Sequence, residues 1–218
     1  MGHNGAGKST SIRTLLGLIS PTGGKAEIFG KDIAAQKTEI LSDIGYMPSE
    51  AFFYRNQKVK EIIKLSADFR QKDCSAEAAR LCERLALDTE KNISELSLGN
   101  RKKVSVVCAL QHMPKLCILD EPTSGLDPLM QRELYAVLEE RNRQGVTVFL
   151  SSHVLSEIQR YCKHAAIIRE GKLLVSDSVE HLGHTKAKRV TVRGIDVPPA
   201  ISQIKDVQKN GDALRFLY

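Results

Sequence analysis

Tryptophan is absent from this chain of 218 residues, Tyr and Phe number only 5 and 6, and no tract of biased composition occurs. With 42% hydrophobic and 27% charged residues, the composition excludes a disordered chain and a fibrous repeat. Long apolar runs are also lacking. The longest, such as Val104 to Leu110 and Val146 to Leu150, fall short of the roughly 20 residues a helix needs to cross a bilayer, and no basic-then-apolar leader opens the chain. The expectation is a chain that neither spans a membrane nor is secreted. Cysteine pairs are missing too. Cys74, Cys82, Cys108, Cys117 and Cys162 are odd in number and form no CxxC, which predicts reduced core residues of a cytosolic protein. Positive charge is present, at net +6, but dispersed, with Arg101-Lys102-Lys103 the one tight run. That pattern predicts a solvated basic surface rather than a nucleic-acid interface. His181 and His184 have metal-like spacing but no third ligand nearby, so a solvated turn is expected there.

The length allows one sizeable α/β core with a small appendage. A loop over Gly2 to Gly7 precedes a helical pattern to about Leu18, carried by Ile12, Leu15, Leu16 and Ile19 and ended by Pro21, Gly23 and Gly24. Ala26 to Phe29 and Ile44 to Met47 read as short strands. Residues 50–112 read as a mostly helical lobe, with one helix marked by Val59, Ile62, Ile63, Ser66 and Phe69 and another by Ala79, Cys82 and Leu85. A strand over Leu116 to Leu119, a helix from Pro128 to about Gln144, a strand over Val146 to Leu150 and a helix from His153 then alternate. Such alternation implies a parallel sheet with crossover helices. Ala165 to Arg169 and Lys172 to Ser176 read as a hairpin through Glu170-Gly171. Arg189 to Arg193, Asp206 to Lys209 and Ala213 to Tyr218 are weaker strand candidates, so 186–218 is expected to be a small appendage.

Gly2-His3-Asn4-Gly5-Ala6-Gly7-Lys8-Ser9 fits GxxxxGK[ST]. Glycines let backbone N–H groups wrap a phosphate chain, and the following helix offers its positive end. In this reading Lys8 reaches the β- and γ-phosphates and Ser9 ligates Mg²⁺; the plain alternative is a Gly-rich turn capping a helix. Downstream, Leu116-Cys117-Ile118-Leu119-Asp120-Glu121 is an apolar run ending in two carboxylates, as where a buried strand emerges at the carboxyl edge of a sheet. Asp120 is then expected to hold Mg²⁺ through water, and Glu121 to orient and deprotonate an attacking water. Alone, the pair could simply start the turn containing Pro122 and Gly125.

Leu96-Ser97-Leu98-Gly99-Asn100 resembles the LSGGQ signature of ABC ATPases, Ser124-Gly125-Leu126-Asp127 resembles their D-loop, and His153 in Leu150-Ser151-Ser152-His153 resembles their switch histidine. The resemblance covers roughly residues 2–176. It implies an α/β fold, a P-loop NTPase with a mostly parallel central sheet flanked by helices, a helical lobe and a small C-terminal α+β appendage. Residues 1–185 would form the ATPase domain, with its N-terminal strands missing, and 186–218 the appendage. It further implies ATP and Mg²⁺ as cofactors, with Glu121, His153 and Lys8 catalytic. Gly2, Asn4, Gly5, Ala6, Gly7, Lys8, Ser9, Thr10, Ser97, Gly99 and Asp127 would bind nucleotide, and Ser9, Asp120 and Ser49 the metal. Two copies would dimerise head to tail, with Ser97 and Gly99 presenting donors to the γ-phosphate held by the partner.

The implied partners are a second ATPase subunit and a separate transmembrane permease, with no nucleic acid and membrane contact only through the permease. The implied location is cytoplasmic, peripheral on the inner face of the cell membrane. The wording of Leu119 to Pro128 and Ser152 to Glu157 is similar to ATPase subunits of bacterial drug and antibiotic exporters, which makes ATP hydrolysis driving solute export the expected function. The alternative is a nucleotide-binding regulatory module, or a non-transport ABC protein, without productive hydrolysis. Phe52-Phe53-Tyr54 is expected either to dock on the permease or to fill the lobe's own core.

Three departures stand out. Ser49 replaces the usual Gln, which predicts altered coupling rather than lost hydrolysis. Leu98 and Asn100 replace Gly and Gln in the signature, which predicts retuned function. Finally, the phosphate loop begins at residue 2, so a chain lacking the strand that feeds the loop, with unpaired sheet edges and an open core, is expected.

Overall fold

The computed structural model describes residues 1–183, 189–194, 205–210 and 213–217. The first helix, α1 (Lys8–Leu15), starts where Gly7 takes φ 102°, a left-handed conformation suited to a residue without Cβ. Ile12 and Leu16 are buried, whereas Ile19 is exposed, so the apolar helical pattern stops short of Leu18. Strands β1 (Glu27–Ile28) and β2 (Lys31–Asp32) pair antiparallel through Phe29-Gly30. Both turn residues have positive φ, 57° and 70°, so Phe29 belongs to the turn rather than to the expected strand.

After α2 (Lys37–Ser42), three strands form the central sheet: β3 (Ile44–Met47), β4 (Leu116–Asp120) and β5 (Thr147–Ser151). They run parallel in the order β3-β4-β5, as the alternation predicted. β4 is the middle strand, and its unbroken apolar run follows from having both faces covered. Alternation along it sorts the core into two layers. Ile118 joins Ile44, Ile12 and Leu16 on the α1 side, while Cys117 and Leu119 join Met47 and the helical lobe on the other.

The lobe holds α3 (Val59–Asp68), α4 (Ser75–Arg84) and α5 (Leu98–Leu110), and α6 (Pro128–Arg143) follows β4. Val59, Ile62, Ile63, Cys82 and Leu85 turn inward as their spacing predicted, but Ala78 and Leu81 are buried rather than Ala79, and Phe69 is exposed. Arg141 of α6, 1% exposed, donates to Glu77 of α4, while Arg80 and Arg84 of α4 reach Glu140 and Glu133 of α6. These ion pairs tie the lobe to the sheet-covering helix.

Beyond β5 come α7 (Leu155–Tyr161), the hairpin β6 (His164–Arg169) and β7 (Lys172–Ser178), and α8 (Val179–Gly183). The helix expected from His153 therefore starts two residues later, and His181 lies on a short helix beside Asp177 rather than in a turn. His184 lies outside the described residues. Between β5 and β6 a cavity of about 760 Å³ opens, lined among others by Ile12, Tyr135, Val148, Leu150, Ile158 and Ala166. In the appendage, β8 (Arg189–Arg193), β9 (Lys205–Asn210) and β10 (Ala213–Leu217) form an antiparallel sheet in the order β8-β10-β9. Tyr218, the end of the expected last strand, lies outside the described residues.

All five cysteines are free; Cys74, Cys82 and Cys117 are buried, and Cys108 and Cys162 are half-buried. Burial pushes the Cys108 and Cys117 thiols up to about 12, so neither offers a thiolate at neutral pH.

His112, at the end of α5, is 4% exposed. Its Nε2 lies 3.2 Å from the Ile44 carbonyl, and Nδ1 has no hydrogen-bond partner among the described residues. Burial, then the Arg70 charge, lower the imidazole from 6.5 to about 4. Between those values the unfolded chain binds a proton that the folded chain refuses, so this contribution is lost as pH falls from about 6.5 to 4. The loss amounts to roughly 2 kcal/mol once solvent screening is allowed for. Urea unfolding of wild type and His112→Gln is expected to show the stability difference shifting by that amount towards the variant between pH 7 and pH 4. A pH-independent difference would remove His112 from the acid response.

Candidate functional site

A cavity of about 530 Å³ lies where the phosphate loop, the carboxyl end of β4 and the start of α5 meet. Asn4, Gly5, Ala6, Gly7, Lys8, Ser9 and Thr10 all line it, with Ser49, Glu50, Phe52, Glu121 and Ser124. Its size suits a small-molecule ligand, for which pockets run to about 300–1,000 Å³. Gly2 stands apart from the lining, packed against the Ile168 carbonyl of β6.

Lys8 is 8% exposed. Its Nζ donates to the carbonyls of Gly2 at 2.6 Å and His3 at 3.1 Å, and pairs with Glu121 Oε1 at 3.1 Å. The other carboxylate oxygen, Oε2, lies 2.7 Å from His153 Nδ1. Residues 8, 121 and 153 thus converge from three elements on one carboxylate. Burial alone would raise the Glu121 carboxyl, but the contacts from Lys8 and His153 outweigh it and hold the group below the usual carboxylate range. A carboxylate kept ionised beside a phosphate-binding loop can orient water and accept its proton.

The backbone of Glu121 is unusual. Its φ is 50°, a left-handed conformation that costs a residue with a side chain about 1–3 kcal/mol. Four hydrogen bonds offset the cost. Its N–H donates to the Ser151 carbonyl at 3.2 Å and to Ser151 Oγ at 3.0 Å. Its carbonyl accepts from Ser124 N–H at 3.3 Å and from Lys102 Nζ at 2.7 Å.

Asp120 is 1% exposed. Ser151 Oγ donates to its Oδ1 at 2.5 Å, and its buried Oδ2 has no hydrogen-bond partner among the described residues. An unpartnered buried carboxylate oxygen is costly unless a cation or donor completes it.

Ser97 is the N-cap of α5 and accepts from Asn100 N–H at 3.2 Å. Gly99 packs so closely on the D-loop that a Cβ would come 2.9 Å from the Gly125 carbonyl, so a larger residue there must push α5 away. Asp127 caps α6, its Oδ1 accepting from Leu129 and Met130 N–H at 3.0 Å. Ser97, Gly99 and Asp127 do not line the cavity, whereas Leu98 does. Of the three aromatics, Phe53 packs on the lobe's core while Phe52 and Tyr54 are 90% and 71% exposed. The expectation of core packing therefore holds for Phe53 and not for Phe52 or Tyr54.

Sequence reasoning missed Ser151 and Lys102. Leu98, Arg101, Lys102 and Ser105 line the cavity together, at the i, i+3, i+4, i+7 spacing of one helix face. Lys102 and Lys103 are 7% and 9% exposed, so of the run 101–103 only Arg101 belongs to a solvated basic surface. The signal that could have found Lys102 is its phase on a helix capped at Ser97.

Fold and site together define a phosphate-loop nucleotide-binding domain. The ABC transporter family profile matches residues 1–124. The bacitracin transport ATP-binding protein BcrA of Bacillus licheniformis is 42% identical over 189 residues, covering 84% of this chain and 60% of that protein. An uncharacterized ABC transporter ATP-binding protein of Alkalihalophilus pseudofirmus is 34% identical, covering 89% and 74%. The probable multidrug ABC transporter ATP-binding protein YbhF of Escherichia coli is 32% identical, covering 84% and 32%. Among solved structures, an ATP-binding subunit of an ABC transporter superposes with a TM-score of 0.76 at 30% identity, covering 84% of this chain and 78% of that one. The chain belongs to the ABC transporter ATP-binding family. It spans 60% of the length of BcrA and about a third of YbhF.

Proposed function

We propose that this chain binds ATP with Mg²⁺, hydrolyses it, and drives solute export through a separate membrane permease as one of a head-to-tail pair. The observation that carries the reading is the Glu121 carboxylate, held between Lys8 at 3.1 Å and His153 at 2.7 Å beside the phosphate loop. In this reading the loop N–H groups and the helix end of α1 bind the phosphates. Lys8 turns from the loop carbonyls to the terminal phosphates, Glu121 orients a water and takes its proton, and His153 keeps Glu121 aimed. Ser97, Gly99 and Asp127, which lie outside the cavity of their own chain, face the nucleotide of the partner.

Ser9, Asp120 and Ser49 would hold Mg²⁺, and the unpartnered Oδ2 of Asp120 fits that role. When bound, the ion neutralises charge on the phosphates. Residues 1–185 act as the nucleotide-binding unit and 186–218 as an appendage. No helix among the described residues is long and apolar enough to cross a membrane; in this reading the permease is a separate partner and the chain sits on its cytoplasmic side. The exposed Phe52 and Tyr54 are available for that contact. Bacitracin transport and multidrug transport, named for two relatives, support a drug- or antibiotic-like solute. Ser49 favours a nucleotide-binding module without hydrolysis, and the contact of Glu121 with Lys8 and His153 argues against it.

The test is Mg²⁺-dependent ATP hydrolysis as a function of protein concentration. A rate rising faster than linearly is expected for a pair that completes its sites mutually. Strict proportionality would overturn the pairing, and failure to bind ATP would overturn the whole reading.

A further inference from the structure

Lys102 has no part in the chemistry just described, yet it is placed as if it had. It lies on α5 five positions after the cap Ser97, lines the nucleotide cavity, and is only 7% exposed. A buried ammonium ordinarily takes a carboxylate partner. Here, among the described residues, its ammonium donates to the backbone carbonyl of Glu121, at 2.7 Å. Burial lowers its pKa, and the charges of Glu121, Asp120 and Glu50 oppose that shift.

We propose that Lys102 is a positioning residue that fixes the peptide following Glu121, and so aims the Glu121 carboxylate and ties it to the signature helix. This deepens the proposed function and rests on it. The N–H side of Glu121 is anchored in the sheet, through Ser151 of β5. The carbonyl side is anchored by Ser124 N–H at 3.3 Å and by the shorter Lys102 bond. Without Lys102, the carbonyl side is held only by the long bond from Ser124, so the peptide after Glu121 can turn about its N–H anchor at Ser151, and that turn swings the carboxylate off the line between Lys8 and His153. Because Lys102 rides on the helix that begins at Ser97, any shift of that helix on engaging a partner's nucleotide reaches Glu121 of the same chain. The coupled elements are thus a helix start on the surface and a carboxylate in the cavity, joined by one side chain.

The experiment compares wild type, Lys102→Met and Lys102→Arg for kcat, ATP Kd and amide hydrogen exchange at Glu121 and Ser124. Loss of the tether is expected to lower kcat by about 10- to 100-fold in Lys102→Met with ATP Kd within about twofold, since misplacement acts on the chemical step. Lys102→Arg, which keeps a donor of similar reach, is expected to recover most of the rate, and the two amides are expected to exchange faster in the Met variant. An unchanged kcat overturns the proposal. So does a Kd that rises in step with the loss of rate, which would make Lys102 a direct nucleotide contact. Should Lys102→Met not fold, Lys102→Gln replaces it and the same split between kcat and Kd decides. If wild type binds ATP without turnover, the proposed function fails, while the exchange measurement still reads the Lys102 contact, and unchanged exchange in the variant overturns it.

Discussion

Replacing Glu121 by Gln is expected to lower ATP turnover by about 100-fold or more, the usual contribution of a positioned general base, while ATP affinity stays within a few-fold. The substitution is nearly isosteric. The backbone at 121 is held by Ser151, Ser124 and Lys102 rather than by its own side chain, so the left-handed conformation survives. What is lost is a proton acceptor and the negative charge facing Lys8 and His153. The amide still fills the site, and Lys8 keeps its bonds to the carbonyls of Gly2 and His3. Single-turnover hydrolysis together with equilibrium binding of ATP separates the two effects. Retained turnover would assign the proton transfer to another group and leave Glu121 a structural partner of Lys8.

The same substitution carries a stability signature with a definite sign. The folded Glu121 carboxyl lies below its ordinary value of 4.5, so its contribution is fully present above that pH and is lost as pH falls through the folded value. The stability difference between wild type and the Gln variant is therefore expected to be constant from neutral pH down to about 4.5, then to shrink on further acidification. His112 acts in a higher window, from about 6.5 to 4, so the two groups separate on a pH series.

The residues legible in the sequence were those whose chemistry is local. The phosphate loop needs only its glycines, Lys8 and Ser9 in register with a helix start, and β4 shows itself because a strand covered on both faces must be apolar throughout. The alternation of strand and helix from Leu116 to Ser151 implied a parallel sheet, while the order β3-β4-β5 is a finding of the structure. What could not be read depends on residues meeting across the chain. That Glu121 adopts φ 50° follows from Ser151, thirty residues on, and from Lys102 on the preceding helix, neither of which a linear motif links to it. Lys102 was hidden by being counted as part of a charge run, because adjacency in sequence is not adjacency on a helix. Phe29 was misassigned because β-propensity outweighed the Gly30 that follows it, and the turn prevailed.

Lys8→Met is the second substitution with a large expected effect, and it separates binding from catalysis in the opposite sense. Before nucleotide arrives, Nζ is satisfied by two loop carbonyls and Glu121, so ATP must draw Lys8 away from a carboxylate it already pairs with. The exchange is favourable because phosphate oxygens carry more charge and lie among N–H donors of the loop. Removing the ammonium forfeits hydrogen bonds to a charged group, each about 1.5–3 kcal/mol, which predicts a rise in ATP Kd on the order of 10- to 150-fold. In the free protein, Glu121 then keeps the His153 contact and the charge of Lys102 but loses its direct ammonium partner, and burial is opposed less. Its carboxyl is therefore expected to titrate higher in Lys8→Met than in wild type, and ¹³C chemical shifts of the carboxyl over a pH series measure this directly. In the proposed mechanism, by the same logic, ATP drawing Lys8 from Glu121 would make the carboxylate a stronger base as its water is put in place. An unchanged titration in Lys8→Met would mean that His153 alone sets the state of Glu121 and that Lys8 serves the phosphates only.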